Sequence, residues 1–109
     1  MDAEQVARND AIFREANERI DRAGARLDAR DPLPFICECA DPECRALLSL
    51  TRGEYEEVRD HGKRFAVAPG HERSADGHAE VVERRDGYVV VQKVGAAAEV
   101  AEALDPRGD

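Results

Sequence analysis

The first quarter of the chain has the hydrophobic spacing of one amphipathic helix. Apolar residues recur every seven positions through residues 2–29, with two alanines at intermediate positions of the same stripe. These residues are Val6, Phe13, Ile20 and Leu27, with Ala16 and Ala23 between them. This pattern predicts a helix that packs one face on the rest of the protein. Pro32 and Pro34 end the helical pattern and mark a linker.

A helix of residues 2–29 is long for so small a chain, since at about 1.5 Å per residue it extends about 40 Å. Packing on its own domain is the preferred interpretation. The alternative is that part of the helix contacts another protein, and the candidate contact residues are then Ile12, Phe13 and Ile20. The pattern leaves the oligomeric state open.

Residues 32–109 alternate between short extended segments and short helices. The expected strands are residues 35–39, 46–50, 65–68, 80–85 and 88–94, and the expected helices are residues 52–61 and 96–104. For residues 46–50 one turn of helix is the alternative, and their length and the following cap favour the strand. Asp86-Gly87 lies between the last two strands and is typical of a two-residue hairpin turn. The run Tyr88-Val89-Val90-Val91 has no polar alternation. This strand is therefore expected to be covered on both faces.

Local signals bound the other short elements. Thr51 and Glu54 have the spacing of a capping box at the start of a helix. Gly62 suits the left-handed residue that ends the same helix. Pro69-Gly70 predicts a rigid turn that places His71, and the polar residues 72–78 are expected to form a loop.

Composition narrows the classes of function. The chain has 24 acidic and 16 basic residues, a formal net charge of −8 and only 5% aromatic residues. This charge disfavours binding to duplex nucleic acid or to an acidic membrane, because both need a basic surface. Residues 63–94 are slightly basic, which leaves single-stranded nucleic acid as a minor alternative, although solvated positions are the simpler interpretation. No apolar run has the length of a signal peptide or membrane span, so a cytoplasmic protein is expected.

All three cysteines lie within eight residues, at Cys37, Cys39 and Cys44. Three thiolates this close repel one another unless a cation lies between them, and zinc prefers a tetrahedral site of sulfur and nitrogen ligands. The sequence therefore predicts a Zn²⁺ site with three cysteines and one histidine. His71 is the favoured fourth ligand because it follows a rigid turn, and His61 and His78 are the alternatives.

Other interpretations of the cysteines remain open. A structural disulfide is weakened by the odd number of cysteines. Purely apolar burial of all three is disfavoured, because Glu38 and the Asp41-Pro42 turn indicate a segment outside the core. A redox-sensing thiol site, which would release zinc on oxidation, is the principal alternative function.

The sequence gives little basis for catalysis. Four protein ligands leave no open position on zinc for water or substrate, so a structural site is expected. A less favoured alternative is a zinc enzyme with an open site of three cysteines. Glu38 lies between two cysteines but lacks the partner motif of zinc deaminases, so it is interpreted as a solvated neighbour. Nucleophile-elbow, phosphate-loop and dinucleotide motifs are absent from the sequence.

These elements together predict one globular α+β unit. A long N-terminal helix within residues 1–31 precedes a small zinc-stabilised domain of residues 32–109. That domain is expected to contain a small, mainly antiparallel sheet with a C-terminal hairpin, short helices and a zinc knuckle.

Several motifs resemble a family of small bacterial proteins that has no assigned activity. They are Phe35-x-Cys37-Glu38-Cys39, Cys44, Leu50-Thr51-x-x-Glu54-Tyr55-Glu56-x-Val58-Arg59, Phe65-x-Val67-x-Pro69-Gly70-His71, Val81-Val82-Glu83 and Tyr88-x-Val90-Val91-x-Lys93. The resemblance covers most of the chain and implies that the three cysteines and His71 belong to one motif. The expected function is that of a small zinc-binding interaction or regulatory protein.

Overall fold

The computed structural model describes residues 1–107 and shows a mixed α+β fold. The final two positions of the predicted domain of residues 32–109 lie outside the described residues. The helices are α1 (Ala3–Arg26), α2 (Arg52–Arg59) and α3 (Gly95–Ala103), with a short 3₁₀ helix at His71–Ala75. The strands are β1 (Leu33–Ile36), β2 (Leu47–Leu50), β3 (Arg64–Val67), β4 (Ala79–Arg85) and β5 (Tyr88–Lys93).

The strands form two antiparallel sheets. β1 pairs with β2, with Phe35 opposite Leu48, and β5 lies between β3 and β4 in a three-stranded sheet. The Asp86-Gly87 hairpin is confirmed, because Gly87 has a φ of +89° in the turn between β4 and β5. The apolar run of β5 is buried, as its lack of polar alternation predicts.

Helix α2 begins as its capping box predicts. The Glu54 backbone N–H donates to Thr51 Oγ1 at 3.1 Å, and the Thr51 N–H donates to Glu54 Oε1 at 2.8 Å. The prediction for Gly62 is wrong, because this residue does not adopt a positive φ. An added Cβ at Gly62 would lie 2.6 Å from Asp105 Oδ2, so the Asp105 side chain, which pairs with Arg59, would have to shift.

Helix α1 packs on the domain, but its inner face differs from the predicted apolar stripe. Leu27 follows the helix and is 80% exposed, whereas Val6 is buried, and Phe13 and Ile20 are half-buried against the core. The other buried positions on this face are largely polar, namely Asn9, Asp10, Arg14, Asn17, Glu18 and Asp21. Their spacing of three or four residues puts these polar side chains on one helical face.

Two of these polar residues, Asp10 and Arg14, have their partners outside α1. Asp10 forms an ion pair with Lys93, and Lys93 is buried although the bases of residues 63–94 were expected to be solvated. The Arg14 guanidinium lies 4.4 Å from the centre of the Phe65 ring and donates to the Gly62 carbonyl at 2.7 Å. The apolar core is therefore supplemented by buried charge.

A second group of polar residues, which we call the charge network, joins α1 to α2 and to the C-terminal segment. It consists of Glu18, Asp21, Arg59, Asp105 and Arg107. Arg107 donates to both carboxylate oxygens of Glu18, at 2.7 and 2.8 Å. Arg59 is buried and pairs with Glu18 and Asp105. Together with the contacts of Asp10 and Arg14, these contacts attach α1 to the rest of the domain, as expected for a helix packed on its own domain. Within residues 1–107, no helix is long and apolar enough to cross a membrane.

Candidate metal centre

The three cysteines lie on the loop between β1 and β2. The Cys37 N–H donates to the Ala46 carbonyl at 3.0 Å, and the Cys44 N–H donates to the Asp41 carbonyl at 3.1 Å. These bonds fold the loop back at the Asp41-Pro42 turn and bring Cys44 towards the first two cysteines. The three thiols are free.

The histidine comes from the segment that follows β3. Gly70 has a φ of +91°, a conformation that glycine adopts readily, and His71 begins the 3₁₀ helix immediately after it. The His71 N–H donates to the Ala68 carbonyl at 2.9 Å, which closes the turn. The Pro69-Gly70 turn therefore places His71 as the sequence predicts.

The structure brings Cys37, Cys39, Cys44 and His71 together into one group, which we call the sulfur cluster. Their candidate ligand atoms all lie within 4.8 Å of one another. His71 Nδ1 lies 3.5 Å from the Cys37 sulfur and 3.4 Å from the Cys44 sulfur. These four side chains can bind a metal ion. Within residues 1–107, neither His61 nor His78 belongs to such a group.

All three cysteines are buried, at 0%, 2% and 8% exposure for Cys37, Cys39 and Cys44. The expectation that this segment lies outside the core is therefore wrong. Burial of the cysteines is compatible with the acidic residue between them, because the Glu38 carboxyl group forms hydrogen bonds with residues outside the sulfur cluster. The thiols thus lie in a protected environment, where an unpaired negative charge is unfavourable.

The surroundings shift the pKa values of the three thiols in different directions. A hydrogen bond from the Cys37 thiol lowers the pKa of Cys39 to about 5, with help from the Asp41 amide. The same bond and burial raise the pKa of Cys37, whereas burial raises the pKa of Cys44. The Ala68 N–H also donates to the Cys37 sulfur at 3.1 Å. A cation bound among the sulfurs would favour the deprotonated form of each.

Glu38 is fully buried, so its interpretation as a solvated neighbour is wrong. Its Oε2 accepts from Tyr55 Oη at 2.7 Å and from Asn17 Nδ2 at 2.9 Å. Its Oε1 accepts from the Ala66 N–H at 2.9 Å. Burial raises the pKa of Glu38, and these three donors oppose that rise. The carboxyl group is thus a structural acceptor between α1, α2 and β3.

Asn17 connects the cysteine loop to α1. Its amide donates to the Ile36 carbonyl and accepts from the Ile36 N–H, both at 2.7 Å. The side chain thus satisfies both backbone groups of the residue before Cys37. Sequence reasoning missed Asn17 and Glu38. A useful signal for Glu38 is its position between Cys37 and Cys39, because a residue flanked by two inward-facing ligands points to the opposite side.

A surface cavity of about 320 Å³ lies next to the sulfur cluster. It is lined by Phe13, Ile36, Cys44, Arg45, Ala46 and Leu47. Cys44 is the only residue of the sulfur cluster among them, and it is also the most exposed of the three cysteines. The cavity therefore borders the candidate site at Cys44.

Comparison with protein-family models, curated proteins and solved structures finds no match for this chain.

Proposed function

We propose that this chain is a small zinc-binding protein in which Cys37, Cys39, Cys44 and His71 hold a structural Zn²⁺ ion. The distances between His71 Nδ1 and two sulfurs support this most directly. Tetrahedral zinc with Zn–S of about 2.3 Å and Zn–N of about 2.0 Å separates sulfur from nitrogen by about 3.5 Å. The corresponding distances here are 3.5 Å to Cys37 and 3.4 Å to Cys44.

The donor set also favours zinc over the other common metals. Three thiolates and an imidazole suit a soft or borderline cation, whereas magnesium and calcium prefer oxygen ligands. Four protein donors would complete the tetrahedron and leave no position for a substrate. The resulting site is structural, and the proposed role of the protein is that of an interaction or regulatory module.

A contact with another protein through α1 remains part of this proposal. Ile12 is 67% exposed, which supports it as a contact residue. Phe13 and Ile20 are half-buried against the core, so their accessible parts are smaller. Ile12→Glu should weaken binding of a partner identified with the intact protein while leaving the melting temperature unchanged. Equal partner binding by Ile12→Glu and the intact protein would contradict this choice of surface.

Cytoplasmic localisation is also proposed, because reducing conditions keep unpaired thiols available for metal. The motifs of this chain resemble those of a family of small bacterial proteins. We propose that, as this resemblance implies, the three cysteines and His71 form one motif.

Zinc content after purification without added metal tests the site. We expect about one equivalent of zinc that resists dialysis, and a large loss in His71→Ala. His61→Ala and His78→Ala are matched controls and should retain the metal. A protein with less than about half an equivalent would contradict the proposal. Full retention in His71→Ala would instead favour the open site of three cysteines.

The ring nitrogen that binds zinc provides a second test. His71 Nδ1 faces the sulfurs, so metal binding should leave the proton on Nε2. Nitrogen-detected NMR of the imidazole distinguishes the two tautomers, and binding through Nε2 would contradict this geometry.

A thiol-based redox sensor is the second candidate function. It is favoured by the position of Cys44 at the surface cavity. Mild peroxide should then release zinc quickly, whereas a purely structural site should resist it.

A further inference from the structure

We infer that Cys44 is the residue of the sulfur cluster at which oxidation begins, and that its oxidant is an apolar organic hydroperoxide. This assignment rests on the second candidate function, a thiol-based redox sensor. It adds to that function the cysteine that is modified first and the class of oxidant. The observations that support it are the unequal access to the three sulfurs, the chemistry of the cavity beside Cys44, and the short distances to the other thiols.

Access differs among the cysteines. Cys37 is 0% exposed and Cys39 is 2% exposed, whereas Cys44 is 8% exposed and lines the cavity. Cys44 is therefore the cysteine that an oxidant approaching from solvent meets first. Reactivity of a thiol depends on ionisation as well as on such access. The Zn²⁺ ion of the proposed site would favour the thiolate form of all three cysteines, so that access decides among them.

The cavity favours an apolar oxidant over hydrogen peroxide. Phe13, Ile36 and Leu47 provide an aromatic and two aliphatic side chains in its lining. A volume of about 320 Å³ accommodates a small aromatic or branched alkyl group. Binding of that apolar body would raise the local concentration of its hydroperoxide group beside Cys44. Hydrogen peroxide has no apolar part and gains nothing from these side chains.

The other cysteines can resolve the oxidised residue. All candidate ligand atoms of the sulfur cluster lie within 4.8 Å of one another, so either Cys37 or Cys39 is close to Cys44. A disulfide between Cys37 and Cys39 would close a ring with a single intervening residue, which is a strained geometry. The disulfide formed on oxidation should therefore include Cys44.

The reaction balances with one hydroperoxide and two thiolates. The Cys44 sulfur attacks the terminal oxygen of the hydroperoxide, the O–O bond breaks, and the alkoxide takes a proton from water to leave as an alcohol. Cys44 is then a sulfenic acid, oxidised by two electrons. A second thiolate attacks the Cys44 sulfur, an S–S bond forms, and the hydroxide that leaves takes a proton to become water. Loss of two thiolate ligands would release Zn²⁺.

Cumene hydroperoxide at less than one equivalent tests the assignment on the intact, purified protein. With the trapping reagent dimedone present, we expect the adduct on Cys44 in peptide mass spectrometry. Without dimedone, we expect a disulfide between Cys44 and either Cys37 or Cys39. A first adduct on Cys37 or Cys39, or a disulfide that joins those two residues, would overturn the assignment of Cys44.

The oxidant class is tested by filling the cavity. Ala46→Leu should slow oxidation by cumene hydroperoxide about tenfold while leaving oxidation by hydrogen peroxide unchanged. Ala103→Leu adds the same atoms at an exposed position outside the cavity and is the matched control. Leu47→Ala enlarges the cavity at a residue that is 64% exposed, and provides a second variant if Ala46→Leu does not fold. Leu47→Ala should change the rate of oxidation by cumene hydroperoxide and leave the rate of oxidation by hydrogen peroxide unchanged. Equal effects on both oxidants, or none, would overturn the apolar class.

Zinc measured in the same samples before oxidation keeps the two proposals separate. Absence of zinc would contradict the proposed zinc function, whereas the site of oxidation is read from the peptide masses whether zinc is bound or not. Zinc present with oxidation away from Cys44 would contradict only this assignment.

Discussion

The sulfur cluster and the charge network are both buried polar groups, but they differ in what balances their charge. In the charge network, arginines pair directly with carboxylates from other segments, as Arg107 does with Glu18. The sulfur cluster contains three thiols and one imidazole. Its four residues include no Lys or Arg to balance thiolate charge, whereas the network supplies its own cations. With the zinc site proposed above, the stability of one region would depend on metal and that of the other on pH.

Zinc removal should produce the largest difference between the two regions. In zinc-finger peptides the free energy of zinc binding is about 10–16 kcal/mol, which exceeds the free energy of unfolding of many domains. A chelator that removes the metal should therefore lower the melting temperature markedly, and added zinc should restore it. Thermal unfolding followed by circular dichroism measures this effect. An unchanged melt after confirmed metal removal would show that the sulfur cluster is stable without a cation.

The chain's local patterns predicted the sulfur cluster much better than the charge network. Three cysteines within eight residues and a turn before His71 are local signals. By contrast, Glu18 and Arg107 are paired across 89 positions, and nothing local distinguishes either from a solvated residue. The polar face of α1 was missed for this reason. A helical face of charged residues is buried only when partners from distant segments meet it.

Asp10 and Lys93 provide a smaller test, in which one charge of a buried pair is removed. Asp10→Asn leaves the Lys93 ammonium buried without its carboxylate, which should cost about 3 kcal/mol. Lys93→Met added to Asp10→Asn should recover most of that loss, because it removes the unpaired charge. Urea unfolding of the single and double variants measures both effects. A double variant no more stable than Asp10→Asn would show that the unpaired ammonium is not the cause.

Glu38 lies between two cysteines of the sulfur cluster in sequence, but its buried carboxyl group accepts from Asn17, Tyr55 and Ala66. Glu38→Leu leaves the Tyr55 hydroxyl, the Asn17 amide and the Ala66 N–H without their acceptor, which should cost about 2–3 kcal/mol even with zinc bound. Glu38→Gln keeps one carbonyl acceptor and should cost less. Unfolding free energies at saturating zinc measure the difference. Equal losses in Glu38→Leu and Glu38→Gln would contradict the role of the carboxyl group as a hydrogen-bond acceptor.

The smallest predicted effect is the response to acid of Glu56, which accepts a hydrogen bond from Arg107 of the charge network at 2.7 Å. Hydrogen bonds from Arg107 are the largest cause that lowers the pKa of Glu56 to about 2. Glu56 therefore stabilises the folded state above its ordinary pKa of 4.5, and this contribution is lost as the pH falls towards 2. Since Glu56 is partly exposed, solvent screening should keep the contribution below about 1 kcal/mol.

Arg107→Leu should remove this acid dependence. Its stability deficit relative to the intact protein should be largest near pH 6 and should narrow below pH 4.5, the ordinary pKa of Glu56. Arg30→Leu removes an arginine from an exposed pair with Asp28 and is the matched control. Urea unfolding across this pH range measures the deficit. The deficit depends on the protonation of Glu56 only if Arg107 stabilises the fold by pairing with that carboxylate. A deficit that stays constant with pH would therefore mean that Arg107 acts by packing its aliphatic chain.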